Sequence, residues 1–371
     1  MKFVIDRAAL LRSLNHVQSA VERRNTIPIL SNVLMKAEDG TLRLSTTDMD
    51  MEINEAVSAE VPKKGATTAP AQTLYDIVRK LPDGSQVEVI LNKEGTQMTV
   101  QAGRSDFKLS CLPVSDFPEI SVGDLPVSFS IPAAELRSLI DRTRFAMSTE
   151  ETRYYLNGIY LHEAENSGIP VLRAVATDGH RLARFEMPLP EGAAGMPGVI
   201  LPRKTVGELR KLIDEAADMI KISLSENKIR FSFDHIVLTS KLIDGTFPDY
   251  QRVIPQGNDK VVEVDPKVFT GAIDRVSTIS DGKSRALKIS LRGKHMTLSA
   301  SSAESGSATE EMEVNGDTDL EIGFNAKYLL DITSQIDGDG CRMTMADSAS
   351  PTIIQDNSDP SSLYVIMPLR V

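Results

Sequence analysis

Thr177-Asp178-Gly179-His180-Arg181-Leu182 is the stretch of this 371-residue chain whose residue types come closest to catalysis. An Asp two residues before a His could orient an imidazole for acid–base work. The same letters spell a tight turn, with Asp capping backbone amides and Gly at positive φ. No nucleophile or second acid lies near in sequence, so the turn is the better reading. Other chemistry fails on spacing. Asp281-Gly-Lys-Ser284 contains Gly-Lys-Ser, but the P-loop glycine would fall at Ser277 and a helical pattern precedes it. Asp337-Gly-Asp-Gly340 starts like a calcium loop, yet Arg342 stands at its sixth position. His16, His162, His180, His235 and His295 lack metal-ligand spacing, and no G-x-S-x-G occurs. Cys111 and Cys341 form neither a disulfide framework nor a zinc pattern. No metal, cofactor or catalytic residue is expected, and a reduced cytoplasmic chain is.

Elements that would position these residues recur three times in one order. A strand running into a helix opens at Phe3–Leu10, Phe129–Leu136 and Val262–Phe269. A strand ending in a polar turn follows at Leu44–Asp48, Val175–Asp178 and Leu298–Ser301. A second helix comes at Ala71–Leu81, Arg203–Leu212 and Ala326–Ile336. Leu112 to Phe117-Pro118-Glu119 repeats 130 residues on as Leu242 to Phe247-Pro248-Asp249. Between the helices, Leu42 and Leu44, or Val87, Val89 and Leu91, alternate with period two, as antiparallel strands do. The expected fold is α+β, with three similar domains over 1–122, 127–254 and 259–371. Each should hold two helices and two small antiparallel sheets.

The acidic balance, 41 basic against 52 acidic residues, argues against nucleic acid as a partner if spread evenly. It is not spread evenly. Helices over 7–24, 71–80, 134–147, 203–213, 267–277 and 326–336 carry 16 basic and 7 acidic residues, and the remainder of the chain is strongly acidic. In the first helix, Leu10, Leu14, Val17 and Val21 make an apolar stripe, with Arg12 and Arg23 off it. Repetition would gather six such helices on one positive surface of an acidic body, suited to phosphate contact without base reading. The start Met1–Arg7 places charges where a signal peptide needs an apolar run, and no run of 18 apolar residues offers a membrane span.

Five motifs in register carry a resemblance along the whole chain: Arg153-Tyr-Tyr-Leu-Asn-Gly158, Ala176-Thr-Asp-Gly-His-Arg-Leu182, Leu201-Pro-Arg-Lys204, Phe247-Pro-Asp-Tyr250 and Tyr364-Val-Ile-Met-Pro-Leu-Arg-Val371. They resemble the bacterial beta sliding clamp family, the processivity subunit of DNA polymerase III. The resemblance implies a non-catalytic, head-to-tail dimer closed into a six-domain ring around duplex DNA. It implies a peptide groove that docks the polymerase III alpha subunit, the clamp loader, and other polymerases and repair proteins. By matched position the groove would use Leu156, Thr177, Gly179, His180, Arg181, Leu182, Pro248, Arg252, Val253, Asn325, Tyr328, Val365, Met367, Pro368 and Leu369. DNA contact would involve Arg24, Tyr154, Arg203 and Lys204; the helix charges add Arg79 and Arg142. The dimer interface would involve Arg104, Phe107, Leu109, Ile279 and Glu304. The chain departs from the family's usual charges at Gln72, Thr149, Glu150, Asp106, Gly306 and Ser307, so the ring contact should lean on Phe107, Leu109 and Ile279. Two other readings compete: an enzyme centred on Asp178 and His180, and a peptide-binding module that never encircles DNA.

Overall fold

A computed structural model describes residues 1–21, 26–121, 123–216, 218–280 and 285–370. Arg23, Arg24, Asp281-Gly-Lys-Ser284 and the terminal Val371 lie outside them. Among the described residues there are six α-helices: α1 (Arg7–Gln18), α2 (Ala71–Lys80), α3 (Ala133–Asp141), α4 (Arg203–Ile213), α5 (Pro266–Ser277) and α6 (Ala326–Thr333). Side-chain caps fix three of the starts. Asp6 accepts from the amides of Ala8 and Ala9, Asp265 from Lys267 and Val268, and Asn325 from Lys327 and Tyr328. The stripe Leu10, Leu14 and Val17 is fully buried.

Three helices stop earlier than their apolar pattern suggests, α6 among them at Thr333 rather than Ile336. α1 ends at Gln18 because hydroxyls take its last carbonyls: Ser19 Oγ donates to His16 O at 2.8 Å and Thr46 Oγ1 to Val17 O at 2.5 Å. α3 ends at Asp141, where Thr143 Oγ1 bonds back to Leu139 O at 2.7 Å and a 3-10 turn, Arg144–Ala146, follows. The observed helices carry twelve Lys and Arg against six Asp and Glu, so their excess of positive charge persists.

All named strand pairs are antiparallel, and the chain forms two compact units. The first unit comprises Met1–Leu136, Pro190–Ala193 and Lys204–Leu242. Its five-stranded sheet runs Glu60–Lys63, Lys2–Asp6, Gln86–Leu91, Gln97–Ala102, Ser105–Ser110. Its eight-stranded sheet runs Val127–Pro132, Met219–Leu224, Lys228–Phe233, Ile236–Lys241, Met51–Ser58, Thr41–Thr47, Asn32–Glu38, Gly65–Pro70. The second unit comprises Arg137–Leu189, Ala194–Arg203 and Ile243–Val371. Its eight-stranded sheet runs Val199–Pro202, Gly158–Asn166, Ile169–Thr177, Arg181–Pro188, Asp359–Ile366, Thr352–Asp356, Cys341–Met345, Lys260–Val264. A four-stranded sheet, Gly306–Glu313, His295–Ser302, Ala286–Arg292, Leu320–Asn325, completes it.

Four of the six small sheets expected are therefore fused in pairs across repeats, while the five-stranded and four-stranded sheets each stay within one repeat. Leu238 of the central repeat faces Ile53 of the first, and Leu182 faces Val365 of the third. Sequence alternation shows which face of a strand is buried but not which strand lies beside it. Among the described residues, no helix is long and apolar enough to cross a membrane.

Candidate peptide groove and nucleic-acid face

The turn at 177–181 is built from its own side chains. Thr177 Oγ1 donates to Arg181 O at 2.7 Å and accepts from Gly179 N at 3.1 Å. Asp178 Oδ1 accepts from His180 N at 2.9 Å and Arg181 N at 3.0 Å, while Oδ2 takes Arg181 Nε at 3.1 Å. Gly179 has φ +87°. The Asp178 carboxylate is thus spent on the turn, and it orients no imidazole. His180 is exposed, stacks on Tyr328 with centroids 6.2 Å apart, and accepts Met367 N on its carbonyl at 2.9 Å.

Beside the turn lies a buried apolar floor: Leu156, Val175, Leu182, Ile200, Phe247, Tyr250, Leu363 and Val365. Exposed side chains rise around it. Val253 is 48% and Met367 39% exposed, large values for apolar residues. Pro248 and Arg252 are also exposed, and Arg252 is tethered to Asp249 at 2.7 Å. The last strand ends at Ile366, and the tail stays bonded beyond it. Leu369 N donates to Gly323 O at 2.7 Å, so Met367–Leu369 is pinned on both sides.

Two expected wall residues also hold the structure around them. Arg181 is only 8% exposed. Beyond Asp178 it reaches Asp331 Oδ2 at 2.5 Å and Phe145 O at 2.6 Å, and it lies over the Tyr328 ring at 4.3 Å. It is a strut that ties the turn to α6. Asn325 Oδ1 is taken up by the α6 cap. The sequence reading missed Arg153. Glu150 holds it at 2.7 Å, and a Cβ on Gly179 would lie 2.7 Å from its Nη1, so it covers the turn. Its place at the head of Arg153–Gly158 was the available signal.

Of the DNA-facing candidates, Tyr154 is 53% exposed and Arg203 is exposed at the start of α4. Arg79 is exposed, beside Asp76 at 3.2 Å. Lys204 is ion-paired with Asp48. Arg142 is half-buried and committed to Asp337 at 2.6 Å, so its charge is already partnered. Arg24 lies outside the described residues. The interface candidates sit at two sheet edges. Phe107 and Leu109 are half-buried on the edge strand Ser105–Ser110, and Arg104 is exposed in the turn before it. Glu304 precedes the edge strand Gly306–Glu313, and Ile279 is half-buried just past α5. Among the described residues, no group of three His, Cys, Asp or Glu is placed to hold a metal ion.

Family models of the DNA polymerase III beta subunit match the N-terminal domain at residues 1–121, the central domain at 130–249 and the C-terminal domain at 251–370. The chain belongs to the beta sliding clamp family. The beta sliding clamp of Caulobacter vibrioides is 53% identical over 372 residues, covering all of both chains. The solved sliding clamp of C. crescentus superposes with TM-score 0.98 at 53% identity, covering 100% of this chain and 99% of that one. A Bartonella birtlesii sliding clamp solved bound to griselimycin superposes with TM-score 0.97 at 49% identity over the full length of both.

Within this clamp-family chain the first repeat carries a twin of the groove turn. Thr47 Oγ1 donates to Met51 O at 2.8 Å and accepts from Met49 N at 3.0 Å. Asp48 Oδ1 accepts from Asp50 N at 3.0 Å and Met51 N at 2.7 Å. Lys241 N donates to Asp50 O at 2.8 Å, as Met367 N does to His180 O. The side chains differ. Asp50 stands for His180, Glu52 for Leu182 and Lys241 for Met367. Lys241 pairs with Asp50 at 3.0 Å, and Glu52 accepts from Ile120 N at 3.2 Å. Charge occupies the place that apolar side chains hold at the groove turn.

Proposed function

We propose that this chain is a processivity clamp: a head-to-tail dimer that encircles duplex DNA without reading its sequence and tethers the replicative polymerase. The observation that carries the docking role is the apolar floor of Leu156, Leu182 and Val365, flanked in sequence by segments that expose Val253, His180 and Met367. Met, Leu, Val and Pro form an adaptable surface for short peptide anchors. Its occupants would be the polymerase III alpha subunit, the clamp loader, and other polymerases and repair proteins. The fitness of Arg203, Lys204, Tyr154 and Arg79 for phosphate contact supports the DNA role.

The ring reading rests on strand edges. Each seam within the chain joins the last strand of one repeat to the fourth strand of another: Ile236–Lys241 with Met51–Ser58, and Asp359–Ile366 with Arg181–Pro188. The matching strands left over are Ser105–Ser110 and Gly306–Glu313, and both are sheet edges. Pairing them between two copies would repeat the seam twice and close a two-fold assembly. The decisive experiment loads the protein on closed circular DNA and then linearises it. A clamp stays on the circle and is lost from the ends. Equal retention on both would refute encirclement.

A further inference from the structure

The wall segment Phe247-Pro248-Asp249-Tyr250 turns both of its aromatic ends inward. Phe247 stacks on Tyr160, with centroids 4.9 Å apart and planes 8° apart. Tyr160 stacks on His162 at 4.3 Å and 18°. Tyr250 closes the row, edge-on to His162 at 5.7 Å. Tyr160 and His162 are two residues apart on the strand Gly158–Asn166, so they share a face of it. The segment therefore grips that strand at both ends and leaves Pro248 exposed between them.

Below the rings lies a polar network. Tyr250 Oη accepts from Arg173 Nη1 at 3.0 Å and lies 3.1 Å from His162 Nε2. Arg173 Nε donates to Glu186 Oε2 at 2.8 Å, and Glu186 also takes the Asn166 amide. Arg173, Glu186 and Tyr250 are each only 5% exposed. Burying a guanidinium and a carboxylate costs stability that an apolar cluster would not.

The first repeat has the same turn, and among its described residues other side chains stand at the matching places. Leu34 faces Ser45 as Tyr160 faces Val175, and Lys36 faces Arg43 as His162 faces Arg173. Leu34 and Lys36 thus stand where Tyr160 and His162 do, and Ile120 stands where Tyr250 does. Aromatic rings with a hydroxyl anchor occur where the groove is, and aliphatic and solvated residues where it is not.

We propose that Tyr250 is a positioning residue of the groove: its hydroxyl, held by Arg173 and His162, fixes the wall 247–253 at the distance from Leu182 and Met367 that a docked ligand requires. This rests on the groove reading above. Tyr250→Phe keeps the ring and removes only the hydroxyl. With griselimycin as the probe, we expect about tenfold weaker binding, the loss of one hydrogen bond to a charged group. Amides of 249–254 should exchange faster with solvent, while the strand Gly158–Asn166 stays protected and the dimer persists. Glu186→Gln, two links from the wall, should act in the same direction by less. Ile120→Val, at the matching place in the first repeat, should leave affinity unchanged. Parental affinity in Tyr250→Phe overturns the proposal. Weaker binding with unchanged exchange at 249–254 overturns it too, and so does an equal loss in Ile120→Val. A parent protein that binds no griselimycin overturns the groove reading itself.

Discussion

His162 sits between the Tyr160 and Tyr250 rings with the Arg173 guanidinium near, and burial followed by that charge pushes its pKa from 6.5 to about 4. The unfolded chain therefore binds a proton between those values that the folded chain refuses. Stability tied to this residue is complete above pH 6.5 and falls as the pH drops toward 4, by about 3 kcal/mol in all. Chemical denaturation of the parent and of His162→Phe should show a steeper loss in the parent between pH 6.5 and 4. Parallel curves would contradict it. Gly179, at φ +87°, makes a second case. Ala there costs about 1 kcal/mol in backbone strain and pushes its Cβ toward Arg153, so ligand affinity should fall along with stability. Met49, at φ +77° in the twin turn, already bears that strain. Met49→Gly should leave the melting temperature within a few degrees of the parent, because relief of strain offsets the entropy a glycine adds to the unfolded chain. At this scale the turn at 177–181 was legible, because Thr, Asp and Gly act on their own neighbours. Arg181 was not. A charged residue in a polar motif reads as exposed, and its burial depends on Asp331, 150 residues away.

Elements were legible where local chemistry decides them. Asp6 and Asp265 start α1 and α5 where sequence places a strand before a helix. The helix ends were less legible, because Ser19 and Thr143 compete for carbonyls with hydroxyls that the apolar stripe does not reveal. The tail offers a test of element against site. Deleting Met367–Val371 removes the bonds to His180 O and Gly323 O. The strand Asp359–Ile366 keeps both neighbours, so stability should fall only modestly. The groove loses one wall, which should weaken peptide binding by about 2 kcal/mol, roughly 30-fold. Fluorescence anisotropy with a polymerase-derived peptide, beside sedimentation, checks both halves. Full affinity in a dimeric truncation would show that the tail is not a wall.

For the whole molecule, charge and edges make the predictions. Arg203 is exposed and Lys204 is paired with Asp48. Arg203→Ala should therefore reduce retention on DNA more than Lys204→Ala, and both effects should shrink as salt rises. Retention equal to the parent in Arg203→Ala would remove it from the DNA face. Phe107→Ala takes a half-buried ring from the edge strand Ser105–Ser110. It should weaken the dimer by about 2 kcal/mol, seen as monomer on dilution in sedimentation. An unchanged profile would rule Phe107 out as the anchor. The presence of three similar domains was legible, whereas the fusion of their sheets was not, since strand alternation names no partner. That fusion separates heredity from folding. The repeat is what gene duplication copies, yet a single repeat cut free at 121 would bare the eight-residue strand Met51–Ser58 along the edge that Ile236–Lys241 covers. Such a fragment should self-associate or aggregate, however well its own helices form. Neither compact unit is one continuous stretch of sequence, so no single protease cut releases either whole. A protein of one repeat would have to cover that edge some other way, and a second copy of itself offers the matching strand.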